Sequence, residues 1–160
     1  MKNKLLRLLA ENARRTNEEL AEFLGATPEE IAKLIAELEE QQLIKGYRAI
    51  INDGKLGSSG VRALIEVKVT PQRDGGFDAV ARRLSKYPEV TDLYLVAGHY
   101  DLRIEVTGKT LEDVAAFVYE KLATTEGVTS TATIFLLKKY KESGRLMEDN
   151  EEYERLEVTP

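Results

Sequence analysis

With 160 residues and a mass of 18.0 kDa the chain can bury a real core, and its length suits one medium domain or two small ones sharing a linker. It has no cysteine, which excludes disulfides, thiolate metal sites and cysteine nucleophiles, and its one histidine, His99, leaves little for zinc; no metal or cofactor is expected. A net charge of −5, with 42% hydrophobic and 32% charged residues, fits an ordinary globular protein, and no apolar run approaches the ~20 residues of a membrane helix or forms a leader, so a cytoplasmic protein is expected.

Residues 1–43 read as three helices. In the first, 2–12, Leu6, Leu9, Ala10 and Ala13 form a stripe of period 3.6. Thr16-Asn17-Glu18-Glu19 is a capping box that opens a second helix ending at Leu24, where Gly25 suits a left-handed turn. Thr27-Pro28-Glu29-Glu30 is a second capping box with proline at the first helical position. Behind it Ile31, Leu34, Ile35 and Leu38 share a buried face while Glu30, Lys33 and Glu37 face out. Helix, helix, tight glycine turn and helix is helix-turn-helix architecture, although a small three-helix bundle without DNA would show the same spacing.

A short β-rich segment, 43–51, completes a domain over 1–51 as a connecting strand, and the Gly/Ser-containing 52–60 reads as a hinge. From Val61 the period becomes two: Val61, Ala63, Ile65, Val67 and Val69 alternate with polar residues in a half-buried strand closed by Pro71. A helix follows with Phe77, Val80, Ala81 and Leu84 on one face. Strands at 90–97 and 100–106 are separated by Gly98-His99 as a two-residue hairpin turn. Leu111, Val114, Ala115, Val118 and Leu122 mark another amphipathic helix, and 128–137 is the last strand. The predicted class is therefore α+β: an N-terminal helix-turn-helix (winged-helix-like) domain plus a C-terminal ferredoxin-like βαββαβ domain over 61–140. Its helices cover one sheet face only. Ile134 and Leu136 point one way on the last strand and Phe135 and Leu137 the other, so the Phe135 face is expected to meet another sheet in a dimer. An acidic tail, 141–160, reads as a solvated extension that packs on a partner subunit, if at all, through Leu146, Met147, Tyr153 and Leu156.

The two-part order, with GYRAII at 46–51 between the parts and YLVAGHYDL at 94–102 in the second, resembles the Lrp/AsnC family over nearly the whole chain. These are leucine-responsive and asparagine-responsive feast/famine regulators, in which a helix-turn-helix domain precedes a ferredoxin-like domain that senses amino acids. The resemblance implies homodimers that assemble further, often to octamers, and promoter binding that an amino acid modulates. The family's hairpin motif, Gly-Asp-aromatic-Asp, is matched at three of four positions by Gly98-His99-Tyr100-Asp101. The resemblance places this loop in the effector pocket between dimers, together with Thr131 and Thr133. Residue chemistry agrees: Gly98 admits close approach, Asp101 can meet an ammonium group, and threonine hydroxyls can hold a carboxylate. The plainer alternative is a good hairpin turn followed by a solvated aspartate.

On the helix-turn-helix side, Arg14, Arg15, Lys45 and Arg48 are candidate DNA contacts, with Lys2, Lys4 and Arg7 also available to phosphates; Thr27, Glu30 and Lys33 are the candidates at the third helix. Family recognition helices usually present Arg, Ser or Thr to the groove. Segment 27–42 instead carries Lys33 alone against Glu29, Glu30, Glu37, Glu39 and Glu40. Such a helix repels the phosphate backbone, so affinity per monomer should be low. Glu29 and Glu30 complement the helix dipole, the i,i+4 pairs Glu29–Lys33 and Lys33–Glu37 stabilise the helix, and an oligomer gains from multivalency. The leading expectation is a sequence-specific transcription regulator and not an enzyme. The alternatives are a metabolite sensor that has lost DNA, favoured by the acidic helix, and a siroheme-decarboxylase-like enzyme, disfavoured because no nucleophile-base pair, phosphate loop or metal cluster is legible.

Overall fold

The computed structural model describes residues 1–57, 60–70 and 76–148, which fall into two compact units, Met1–Ala49 and Ile50–Pro160. The first unit contains α1 (Lys2–Glu11), α2 (Asn17–Leu24) and α3 (Pro28–Glu40). Both predicted capping boxes close. The Thr16 and Thr27 amides donate to Glu19 and Glu30 carboxylates at 2.8 and 2.9 Å, and the Glu19 and Glu30 amides donate back to the threonine hydroxyls at 3.2 Å in each case. Gly25 ends α2 with φ of 64°, a left-handed conformation that costs glycine little. The turn from α2 into α3 is thus fixed by local chemistry. Thr27→Ala should lower the stability of this unit by about 1 kcal/mol in urea unfolding, with Thr27→Ser close to wild type.

Leu5, Leu9, Leu20, Ala21, Ile31 and Leu38 form the buried core of this unit. The stripe on α1 differs from the expected one: Leu5 is inside, whereas Ala10 and Ala13 are exposed. Leucines at 5, 6, 8 and 9 allow the stripe to be drawn in two ways, and burying Leu5 removes more apolar surface than burying two alanines.

The second unit is built on one antiparallel sheet of β1 (Val61–Val69), β2 (Val90–Leu95), β3 (Leu102–Gly108) and β4 (Val128–Leu136), in the spatial order β2-β3-β1-β4. Between the strands lie α5 (Gly76–Leu84) and α6 (Leu111–Ala116), the latter continued by a π-helical turn, Phe117–Leu122. This is the expected βαββαβ order. Ala63, Ile65 and Val67 sit opposite Val106, Ile104 and Leu102 and are buried with them beneath Val80, Leu84, Val114, Phe117 and Leu122. Phe135 pairs with Ala63 and packs on this core, so the face expected to be open is the covered one. Leu64, Ile134 and Leu136 lie on the open face instead, and Leu137, one residue past the strand, is 96% exposed. Four consecutive apolar residues give no alternation from which the side could be read.

Thr110 caps α6 through Asp113, a box not singled out in the sequence. Phe117, where the π-helical turn begins, is buried with Tyr87 edge-on at 5.7 Å, while Leu111 and Ala115 in α6, both expected inside, are exposed. A periodicity of 3.6 cannot locate an i→i+5 turn.

The connecting strand expected over 43–51 does not form: these residues carry no helix or strand, because a strand needs a ladder partner and this one has none within the described chain. The expected hinge contains a single helical turn, α4 (Asp53–Leu56). It is tied to the chain's far end: Lys139 Nζ donates to Asp53 at 2.8 Å, and the Asn52 amide donates to the Met147 carbonyl. Two short strands, β5 (Lys141–Glu142) and β6 (Arg145–Leu146), pair there and Met147 is buried. The first part of the expected solvated tail is therefore a packed hairpin; Tyr153 and Leu156 lie outside the described residues. Among the described residues no helix is long and apolar enough to cross a membrane.

Candidate functional site

The outward side of α3 is the first candidate surface. Thr27 and Glu30 belong to its capping box, so their polar atoms hold the helix start. Arg15 is also committed: its guanidinium donates to the Leu8 carbonyl at 2.6 Å and to Glu11 at 3.1 Å, lies 5.5 Å over the Phe23 ring and is 21% exposed. It joins α1 to α2. Arg14, Lys33, Lys45 and Arg48 are exposed; Lys45 Nζ donates to Gln42 at 2.7 Å. The expected Glu29–Lys33 and Lys33–Glu37 ion pairs are not closed, which leaves the Lys33 ammonium without a partner among the described residues. Glu39 accepts from the Tyr47 hydroxyl at 2.8 Å. Partial burial and this neighbouring carboxylate push the Tyr47 hydroxyl above the ordinary tyrosine range.

The second candidate is the β2–β3 loop. The expected two-residue turn is longer: β2 ends at Leu95, β3 begins at Leu102, and the Val96 amide donates to the Asp101 carbonyl at 2.9 Å, leaving Ala97-Gly98-His99-Tyr100 as the loop. His99 and Tyr100 meet edge-on at 5.1 Å. Asp101 is no solvated aspartate. Its carboxylate accepts from the Val69 amide at 2.9 Å and from Lys68 Nζ at 3.3 Å, and Lys68 also donates to the His99 carbonyl at 2.9 Å. Lys68 thus ties the loop to β1, a role the sequence did not reveal because a lysine alternating along a strand looks like plain solvation.

Thr131 and Thr133 are half-buried on β4, opposite Val67 and Ile65, so β1 stands between them and the β2–β3 loop. Loop and threonines flank the same strand, separated by two inter-strand spacings, roughly 9–10 Å. A cleft of about 430 Å³ lies at the other end of β3, lined by Glu89, Gly108, Lys109, Phe117 and Lys121 among others. No predicted effector residue lines it.

The Val69 amide, and after it Lys68, hold the Asp101 carboxyl below the ordinary aspartate range despite some burial. A depressed folded value stabilises the fold above about pH 3.9, the unfolded reference, and that contribution disappears as pH falls through the folded value. Wild type should lose more stability than Asp101→Asn on the acid limb of a pH–stability profile, and the two curves should run parallel above it.

A capped helix-turn-helix unit is followed by a four-stranded βαββαβ unit, and the family models that match the two define a DNA-binding transcription regulator that carries a ligand-binding domain. Residues 62–146 match the model of the Lrp/AsnC ligand binding domain, and residues 4–55 match the Crp-like helix-turn-helix domain. The chain belongs to the Lrp/AsnC family. It is 42% identical over 157 residues to the uncharacterized HTH-type transcriptional regulator YugG of Bacillus subtilis, covering 98% of this chain and 95% of that protein. It is 33% identical over 140 residues to the leucine-responsive regulatory protein of Rhizobium meliloti, covering 88% and 89%. Among solved structures it is similar to a Neisseria meningitidis transcriptional regulator in complex with L-Met, with a TM-score of 0.66, 27% identity and coverage of 88% and 90%. These relatives are regulators, not enzymes.

Proposed function

We propose that this regulator acts in the cytoplasm as a homodimer assembled further, to an octamer or another higher oligomer, and that an amino acid bound at the β2–β3 loop shifts the assembly and so the spacing of its helix-turn-helix units along a promoter. Gly98, His99, Tyr100 and Asp101 form the loop side of the effector site, and Thr131 and Thr133 belong to it through β4. The observation that carries this reading is Asp101: ionised, held by Val69 and Lys68 at the root of an exposed loop, and left with acceptor capacity for an ammonium group. An L-Met complex in a structural relative supports the ligand class. The exposed Ile134 and Leu136 on the open sheet face support dimerisation. Arg14, Lys33, Lys45 and Arg48 meet DNA, whereas Thr27 and Glu30 serve it by shaping the α2–α3 turn and Arg15 by joining α1 to α2. The effector acts only through its different affinity for two assembly states.

Calorimetric titration with a panel of amino acids, paired with sedimentation velocity, tests this. One amino acid should bind and change the oligomer distribution. Asp101→Asn, which keeps an acceptor for the Val69 amide, should weaken that binding about tenfold or more, the loss expected for a charge-assisted contact. Unchanged affinity in this variant would remove the loop from the effector site.

A further inference from the structure

On α3, Ile31, Leu34, Ile35 and Leu38 face the core, and Glu29, Ala32, Lys33 and Ala36 repeat at i, i+3, i+4 and i+7 on the opposite side, all four exposed. The capping box holds Thr27 and Glu30 at the helix start, with one Glu30 oxygen turned to the Thr27 amide and neither residue on this repeat. In a helix-turn-helix unit the N-terminal half of the second helix of the motif contacts base edges. On this repeat α3 offers one carboxylate, one ammonium and two methyl groups, with Glu29, Ala32 and Lys33 in its N-terminal half. This reading rests on the proposed DNA contact and makes it specific.

We infer that Glu29 and Lys33 set sequence specificity by reading C·G pairs in the major groove, with Ala32 and Ala36 packed on neighbouring thymine methyls. An ionised carboxylate only accepts hydrogen bonds. In the major groove guanine and thymine show it acceptors, adenine sets N7 beside its N6 donor, and cytosine shows the N4 amino group alone. An ammonium only donates, and guanine gives it O6 and N7 together. Glu29 and Lys33 are i,i+4 neighbours, about 5–6 Å apart at Cβ, so they reach the same base pair or adjacent ones. The two alanines let the helix backbone approach the groove floor and present methyl groups to thymine. An acidic recognition helix then acts by rejection as much as by attraction. Glu29 faces repulsive acceptors on most sequences, and these weaken binding to wrong sites more than to the right one.

Selection from random duplex DNA, with salt-dependent affinities measured on the selected sites, tests the assignment using full-length wild type, Glu29→Gln and Lys33→Ala. Both positions are exposed, and circular dichroism checks that each variant folds. Wild type should select sites with C·G pairs next to thymine. Glu29→Gln should lose about tenfold discrimination for cytosine at one position and shift toward adenine, which a glutamine amide reads bidentately. Lys33→Ala should lose guanine preference at a neighbouring position with its salt slope unchanged. Identical base preferences for Glu29→Gln and wild type would overturn the inference. So would a Lys33→Ala variant that binds all sequences more weakly and loses about one unit of salt slope, the mark of a phosphate contact. If wild type selects no sequence at all, the DNA-binding reading itself fails, and this inference with it.

Discussion

Ile31→Ala is expected to unfold the helix-turn-helix unit and abolish DNA retardation while the sheet persists. Ile31 is fully buried among Leu5, Leu20 and Leu38. Truncating such a side chain costs about 2–5 kcal/mol in lost transfer energy and residual cavity. A unit of this size, Met1–Ala49, buries a smaller fraction of its chain's surface than a large domain does and has little stability to lose. Hydrogen exchange resolved by residue should show α2 and α3 amides losing protection while β1 and β3 amides keep theirs. Retained α3 protection would mean that the core of this unit is more stable than its six buried residues imply.

Ile65→Ala removes the same volume from the middle of the sheet, with a different expected consequence. Ile65 lies on the central strand β1 between Ile104 and Thr133 and is fully buried. The loss is again about 2–5 kcal/mol, but twelve buried residues among those described share this core, and a larger unit withstands it as a lowered midpoint. For a domain of 60–100 residues each kcal/mol shifts Tm by about 4–8 °C, so calorimetry should record a drop of roughly 8–40 °C in the transition of this unit. Effector binding should be weakened but retained below the new midpoint, since Thr133 lies opposite Ile65 while Asp101 and its partners are at the strand's end.

What the sequence disclosed followed the range of each signal. The capping boxes at Thr16 and Thr27, the left-handed Gly25 and the alternation from Val61 to Val69 are set within a few residues, and each appears in the structure as the pattern indicated. Features that depend on distant partners were not legible. No local pattern shows that Arg15 donates to the Leu8 carbonyl or that the Val69 amide holds Asp101. The side of the sheet that Phe135 faces needed the register with Ala63. The hairpin at 141–146 was masked by its charge, because Glu142 reads as solvation but lies beside Lys139 and Arg62.

A mobility-shift titration of the purified protein on its own upstream DNA, at low and moderate salt and with each of a panel of amino acids, tests the central claim most directly. The account predicts specific retardation that weakens with salt and is altered by one amino acid. Salt-dependent retardation that no amino acid changes, or no specific retardation under any condition, would contradict it.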